Sequence, residues 1–336
     1  MSALRFRLAL LATACAFTLP AQALALEAVA SIKPVQSLLA GVMGNTGKAG
    51  LIVEGAGSPH SYALKPSQAR ALQNARLVVW VGHELEVFLE EPLEHLGGKA
   101  RVLTLSDVEG ITRLEQREGG AFEAHSHGEE HAHGDEHDHD PTKEHAEGHD
   151  HEHEHEHEHE HEHGEEVNAH FWLDPNNAII WTGAIAKALA ELDPANAATY
   201  QANAERQVAG LKALEAELKA ALVPVAGKPF IVFHDAYQYF EERFGLTAAG
   251  SITVSPETAP GARRLTEIRA KIQEAGAVCV FAEPQFEPRV ISVVTEGTKA
   301  RTGTLDPLGA DLAVGPDLYG ALLRKMAASF TSCLGG

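Results

Sequence analysis

The feature of the sequence that most limits its fold is a long stretch that cannot contribute to a hydrophobic core. Residues 119–168 contain almost no apolar side chains, and histidine alternates strictly with glutamate from His151 to His163. Within residues 121–168, 18 Asp and Glu stand against one Lys, which accounts for most of the formal net charge of −20. Such a composition buries too little apolar surface to offset the entropy of ordering the chain. We therefore expect residues 119–168 to form an insert that is flexible when no ligand is bound. The folded body should come from the segments on either side.

Outside the insert the chain carries little net charge and is apolar enough to fold. The hydrophobic content of the whole chain is 44%, and 336 residues are enough for two domains with cores of their own. No segment supplies a basic face. We therefore expect no nucleic-acid partner, because that kind of binding depends on Lys and Arg neutralising phosphates.

Residues 1–25 have the pattern of a secretory signal peptide. Arg5 and Arg7 supply the basic start, an apolar stretch follows, and Ala21–Ala23 or Ala23–Ala25 supplies the small-residue cleavage site. The apolar stretch is too short to span a bilayer as a helix of the mature chain. Lipoprotein anchoring at Cys15 is the alternative, but the cleavage sites downstream of it favour a soluble exported product.

Removal of the signal peptide leaves two cysteines, Cys279 and Cys333. An even pair in an exported protein favours one disulfide, and two separate buried thiols are the alternative. Such a bond would close a loop of about 54 residues and stabilise the fold by on the order of 4 kcal/mol, less any strain.

The segments on both sides of the insert alternate short apolar runs with helical patterns. For residues 26–118 and 224–336 this predicts α/β lobes, each with a mostly parallel sheet. Residues 169–193 complete the N-terminal lobe, and residues 194–223 predict one helix of roughly 40 Å, with Asp193 as N-cap and Pro194 at its first position. The sequence thus predicts two Rossmann-like lobes joined by a long helix, with ligands in the cleft at the carboxyl ends of the strands.

Five histidines lie outside the insert, and three of them occupy positions suited to that cleft. His60 follows the strand "GLIVEG", His234 ends the strand "FIVFH", and His170 lies where the insert rejoins the body. His83 and His95 lie at a helix start and in a helix's last turn, where a solvated or capping histidine is the simpler interpretation.

Three neutral imidazoles completed by a carboxylate or water are a typical zinc set. Hard cations such as Mg²⁺ and Ca²⁺ require more oxygen ligands. Glu283 and Asp306 both lie at strand ends, and either is a candidate fourth ligand. The spacing of the histidines carries no local signature, so it does not settle the site.

Several motifs resemble a known family over the whole mature chain and in the same order. They are "SPHSYALKPSQ", "AHFWLDP", "FHDAYQYFEERFGL", "CVFAEPQF" and "TLDPLG". The chain resembles the zinc-binding solute receptors of bacterial ABC importers, the ZnuA family. The resemblance implies two α/β lobes joined by one long helix, with metal held between them.

The resemblance also implies a ligand set. The matching positions are His60, His170 and His234, and manganese-binding relatives carry a carboxylate at the last of these, so a third imidazole favours zinc. Asp306 matches an acidic position that manganese-binding relatives use, and in zinc members water can replace it. His83 departs from the family pattern and is a possible stray ligand.

Cys279 and Cys333 match a disulfide of the zinc receptors. The function implied is a periplasmic receptor, not an enzyme, that captures Zn(II) and delivers it to an inner-membrane ABC permease. We expect it to act as a monomer.

The insert then has an accessory role, in which it gathers or buffers zinc near the cleft. Its fifteen histidines are His125, His127, His131, His133, His137, His139, His145, His149, His151, His153, His155, His157, His159, His161 and His163. Two other functions remain open at this point. One is a secreted zinc hydrolase with a three-histidine site, although HExxH and G-x-S-x-G are absent. The other is a metal-storage protein that depends on the histidine-rich segment.

Overall fold

The computed structural model describes residues 26–95, 99–117, 122, 167–253, 260–286 and 289–336. The predicted signal peptide, Cys15 and the fifteen insert histidines lie outside the described residues. None of the helices in the described ranges combines the length and apolar character needed to cross a membrane.

The N-terminal half contains a four-stranded parallel sheet. Its strands are β1 (Leu26–Ala30), β2 (Gly47–Leu51), β3 (Leu77–Trp80) and β4 (Arg101–Thr104), in the order β2-β1-β3-β4. The central strands β1 and β3 are almost wholly buried, as expected when helices cover both faces of a parallel sheet. The helices that follow strands here are α1 (Lys33–Met43), α2 (Pro66–Asn74) and α3 (Glu90–Glu94).

The C-terminal half repeats this topology. Its strands are β5 (Phe230–His234), β6 (Ala248–Thr253), β7 (Cys279–Ala282) and β8 (Arg301–Thr304), all parallel and in the order β6-β5-β7-β8. Its helices are α6 (Gln238–Phe244), α7 (Ala262–Glu274), α8 (Arg289–Thr295) and α9 (Leu318–Gly335). Two sheets of the same strand order confirm the predicted two-lobed α/β class.

Along the sequence, two long helices separate the strands of the first sheet from those of the second. The first, α4 (Pro175–Leu192), begins where the Asp174 carboxylate accepts a hydrogen bond from the Asn176 amide at 2.8 Å, an N-cap. The second, α5 (Ala197–Leu222), has 26 residues and spans roughly 39 Å. It packs against helices of both halves and confirms the predicted long connecting helix.

The helical segment starts at the predicted residues, but its first turn is a 3-10 turn. Asp193 and Pro194 open a 3-10 turn, Pro194–Asn196, and α5 begins only at Ala197. The Asp193 carboxylate accepts hydrogen bonds from the side chains of Asn196 and Tyr200, at 2.7 and 2.8 Å. Asp193 is thus the N-cap residue of the 3-10 turn, whereas the N-cap residue of α5 itself is Asn196.

The run "ELEVFLEEPLEHLGG" predicts a helix over residues 84–98, of which the structure describes residues 84–95. In that described part, residues 87–89 form a 3-10 turn and only Glu90–Glu94 is α-helical. The Glu86 carboxylate accepts hydrogen bonds from the amides of Val81 and Gly82, at 2.8 and 3.2 Å, and so holds the chain in a turn after β3. Pro92 lacks the N–H that a longer helix would require.

One hydrophobic core runs across both halves. The spacing of Val208, Leu211, Leu214, Leu218 and Leu222 predicts one apolar stripe along α5. In the structure the four leucines are buried, and Val208 is half-buried. These leucines belong to the same cluster as residues of α1, α4 and α9. The long helix is therefore packed along its length, and it joins the halves through the core.

A disulfide joins Cys279 at the start of β7 to Cys333 in α9, with Cα atoms 6.1 Å apart. This confirms the pairing predicted from the sequence. The bond fastens the C-terminal helix to the second sheet.

Candidate metal centre

Three histidines from separate parts of the chain meet between the two sheets. His60 lies in the loop between β2 and α2, His170 directly precedes the 3-10 turn Phe171–Leu173, and His234 is the last residue of β5. The Nε2 atom of His170 lies 3.3 Å from that of His60 and 3.2 Å from that of His234. Among the described residues, this is the one group of three or more potential ligands close enough to share a metal ion.

The spacing of these nitrogens fits a tetrahedral zinc ion. With Zn–N bonds of about 2.0–2.1 Å, two ligand nitrogens of a tetrahedron lie about 3.3 Å apart. Both measured separations agree with that value. The nitrogen of His170 is therefore at zinc spacing from those of the other two rings, and all three ligand atoms lie within 4.8 Å of one another.

Hydrogen bonds behind two of the rings decide which nitrogen faces the site. The Nδ1 atom of His234 lies 2.7 Å from Glu283 Oε1, and that of His170 lies 2.9 Å from Asn168 Oδ1. Both oxygens are acceptors, so each Nδ1 carries the proton and each Nε2 carries a lone pair. Two facing lone pairs cannot hydrogen-bond to each other, and a cation is the partner that suits both.

Burial keeps the site in the form that binds metal. His170 and His234 are buried, whereas His60 is half-buried. Burial, followed by the proximity of His234 and His60, holds the pKa of His170 well below its usual value. Its imidazole is therefore neutral near pH 7, which metal binding requires. Trp172, Phe286 and Leu308 are among the residues that line the cavity beside the rings.

Asp306 lies outside the three-histidine group. Its Oδ1 accepts hydrogen bonds from the amides of Leu308 and Gly309 and from the Gln285 side chain, at 3.0–3.1 Å. Its Oδ2 accepts one from the Ala310 amide at 2.6 Å. The carboxylate thus caps the turn that follows β8.

The other carboxylate considered as a fourth ligand, Glu283, acts behind the site. It is the acceptor for His234 rather than a member of the ligand group. The position at the end of a strand indicated a role near the cleft, but the direction of the side chain follows only from tertiary packing.

The two remaining histidines of the described chain lie apart from the group. His83 is exposed, and its Nδ1 lies 3.5 Å from Glu84. His95 follows the last residue of α3, with Nδ1 2.7 Å from the Glu91 carbonyl. The interpretation of His95 as a helix-end histidine agrees with this contact.

Sequence reasoning missed Asn168 altogether. It is 1% exposed and bonds the ring of His170, yet no residue-type rule singled it out. Its position two residues before a candidate ligand was the available signal.

The description of a known family agrees with this geometry. The model of the family ZnuA, the periplasmic component A of zinc-uptake complexes, matches residues 28–333. The chain belongs to this family. Membership confirms the prediction of a solute receptor rather than an enzyme.

Curated relatives and a solved structure agree with the assignment. Over 306 residues the chain is 57% identical to the high-affinity zinc uptake system protein ZnuA of Brucella abortus, with 91% of each chain covered. It is 46% identical over 318 residues to the protein of that name from Paracoccus denitrificans, with 94% of each covered. A crystal structure of a ZnuA deletion mutant with zinc bound matches with a TM-score of 0.69 and 26% identity, covering 92% of this chain and 98% of the other.

Proposed function

We propose that this chain is a high-affinity zinc receptor that binds Zn(II) in the periplasm and delivers it to an ABC permease in the inner membrane. The observation that carries the proposal is the convergence of three imidazoles, with the Nε2 atom of His170 at tetrahedral zinc spacing from the Nε2 atoms of His60 and His234. The names of the relatives, high-affinity zinc uptake proteins, support it. His60, His170 and His234 are the proposed protein ligands.

Zinc is the cation that suits this ligand set best. The group contains three imidazoles and no carboxylate, whereas manganese, magnesium and calcium favour oxygen ligands. Asp306 already accepts four hydrogen bonds, so we propose water as the fourth ligand. Three protein ligands and one exchangeable ligand suit a receptor, because zinc must be released as well as bound.

The position of the site between the halves suits capture and release. His234 belongs to the second sheet, and His60 follows a strand of the first. The half-buried His60 marks the more open side, where zinc would exchange with solvent. A zinc ion held by all three would join the halves, and separating them would release it.

We propose that the insert is an accessory that gathers or buffers zinc. Its base lies close to the site, because Glu115 and Val167 form an antiparallel bridge and the Asn168 amide donates to the Leu114 carbonyl at 2.8 Å. Imidazole supplies zinc affinity, and glutamate offsets the charge of the ion. Ions bound by the insert would therefore start near the cleft.

We further propose that residues 1–25 are a cleaved signal peptide and that the mature protein is a monomer. Mass spectrometry of protein isolated from the periplasm would give the mature N-terminus, and sedimentation would give the mass in solution. A lipid-modified Cys15 would contradict cleavage downstream of it.

The ligand assignment is tested by single substitutions. His60→Ala, His170→Ala and His234→Ala should each weaken binding at the tight site by more than about tenfold, because zinc loses a direct ligand. His83→Ala is the matched control, since that exposed histidine lies outside the group. Zinc affinity is measured by competition with a chelator that keeps free zinc too low to load weaker sites.

Two results would overturn the proposal. One is parental affinity in any of the three ligand variants. The other is a tight metal in the purified parent that is not zinc, as identified by elemental analysis.

A further inference from the structure

Asn168 is placed to control the geometry of the metal site without binding the metal. It is the buried residue at which the chain returns from the insert, two positions before His170. Its Oδ1 accepts hydrogen bonds from both the ring Nδ1 and the backbone amide of His170, at 2.9 and 3.1 Å. It therefore holds His170 by the ring and by the main chain.

The other end of the Asn168 amide reaches the second lobe. Its Nδ2 donates to the backbone carbonyl of Asp235 at 2.9 Å and to Gln238 Oε1 at 3.1 Å. Two acceptors facing the Nδ2 group fix the amide in one orientation, so the oxygen must face His170. Asp235 directly follows His234, which means that a single side chain connects the surroundings of two candidate ligands.

Arg117 holds the same aspartate from the other end of the insert. Its guanidinium pairs with the Asp235 carboxylate, with Nε 3.0 Å from Oδ2, and also with Glu241 at 2.8 and 2.9 Å. Asp235 is thus held at its carbonyl by Asn168 and at its carboxylate by Arg117. Both ends of the insert are attached to the residue that follows His234.

We propose that Asn168 is a positioning residue for zinc binding, which sets the proton position and ring direction of His170 and ties that ring to the loop after His234. Only an amide meets both requirements, because it presents an acceptor to His170 and two N–H groups to oxygen atoms. A hydrocarbon of the same size would leave the Nδ1–H of His170 without an acceptor. The inference rests on the proposed zinc site.

Two substitutions separate positioning from simple loss of structure. Asn168→Leu removes the acceptor and should weaken zinc binding by about 10- to 100-fold, the usual cost of losing a partner behind a metal-bound histidine. Asn168→Asp keeps an oxygen facing His170 but sets a carboxylate against the Asp235 carbonyl. This variant should lose thermal stability while keeping zinc affinity within about threefold of the parent.

Asn203→Ala is the matched control for a lost buried asparagine. Asn203 lies in α5, and its Nδ2 donates to the Val42 carbonyl at 2.8 Å, far along the chain from any candidate ligand. This variant should lower the melting temperature and leave zinc affinity unchanged. All variants are compared as full-length protein under chelator-buffered zinc.

A cobalt spectrum supplies a readout that lost stability does not mimic. With one equivalent of Co(II), Asn168→Leu should change the position and intensity of the d–d bands, while Asn168→Asp and Asn203→Ala should match the parent. The proposal fails if Asn168→Leu binds zinc like the parent, or if affinity in the three variants simply follows melting temperature. Unchanged affinity in His170→Ala would instead overturn the proposed function.

Discussion

The side chains of Asp306 and Lys33 both hydrogen-bond to the backbone of the turn that follows β8. The Asp306 carboxylate accepts from the amides of Leu308, Gly309 and Ala310. The Lys33 ammonium, on α1 of the other half, donates to the carbonyls of Gly309, Ala310 and Leu312 at 2.7–3.2 Å. The turn thereby links the two halves beside the metal site.

Asp306→Ala should therefore affect stability more than zinc binding. The buried amides of the turn lose their acceptors, which should lower the free energy of unfolding by about 1–3 kcal/mol. Zinc affinity should fall less than in His234→Ala. Urea denaturation and zinc competition on the same samples measure both effects, and an affinity loss equal to that of His234→Ala would make Asp306 a ligand.

Glu86 gives the fold a dependence on pH that is independent of zinc. Burial raises the pKa of Glu86 to about 7, and hydrogen bonds from the amides of Val81 and Gly82 oppose that rise. Between the ordinary pKa of a glutamate and pH 7, the folded chain keeps a proton that the unfolded chain releases. This contribution to stability is complete at low pH and is lost as the pH rises through 7.

Glu86→Gln should remove that dependence. Above pH 7 the free energy of unfolding of the variant should be up to roughly 3 kcal/mol greater than that of the parent, because the variant buries no charge at this position. The difference between the two proteins should shrink as the pH falls toward 5. Urea denaturation at several pH values, with chelator present, measures it; an equal pH dependence in both proteins would contradict the assignment.

At the scale of elements, the disulfide lies at the opposite end of the sheet from the metal site. Cys279 pairs in register with Phe230 at the start of β5, whereas His234 is the last residue of that strand. Reduction should therefore lower the melting temperature without loss of zinc binding. The disulfide closes a loop of 54 residues, and such a bond stabilises a fold by on the order of 4 kcal/mol. Calorimetry and zinc titration with and without reductant check this. Free thiols in protein purified from the periplasm, or a site lost on reduction, would contradict it.

The elements show where sequence reasoning succeeds and where it stops. Buried strands such as Phe230–His234 are recognisable because a parallel sheet requires short continuous apolar runs. The helix after β3 is shorter than predicted because the side chain of Glu86 accepts hydrogen bonds from backbone amides there. No local sequence pattern reveals that contact. In the same way, His234 was predicted as a ligand, but the roles of Asn168 and Glu283 depend on which side chains the folded chain places behind each ring.

At the scale of the whole molecule, we expect the charged insert and the folded body to be separable in function. The described core contains residues from both halves and from the long helix, and the insert's composition offers nothing to bury. The two segments that carry the insert are joined at its base by the bridge between Glu115 and Val167. A chain cut there and closed by a short linker should keep its fold, since the bridge already holds the two ends together. A ZnuA deletion mutant with zinc bound has been crystallised, and its fold resembles that of this chain.

Deletion of residues 123–166 should therefore remove the weak zinc sites of the insert without weakening zinc binding at the three-histidine site. The full chain should bind several zinc ions, one tightly and the others weakly, because the composition of the insert predicts imidazoles without the preorganisation of the three-histidine group. The shortened chain should bind one ion, with an affinity within a few-fold of the parent's tight site and a similar melting temperature. Elemental analysis after gel filtration gives the stoichiometry, and chelator competition gives the affinity. His170→Ala in the shortened chain is the control that should bind almost none. Loss of nearly all binding on deletion alone would favour a metal-storage protein, whose capacity resides in the insert.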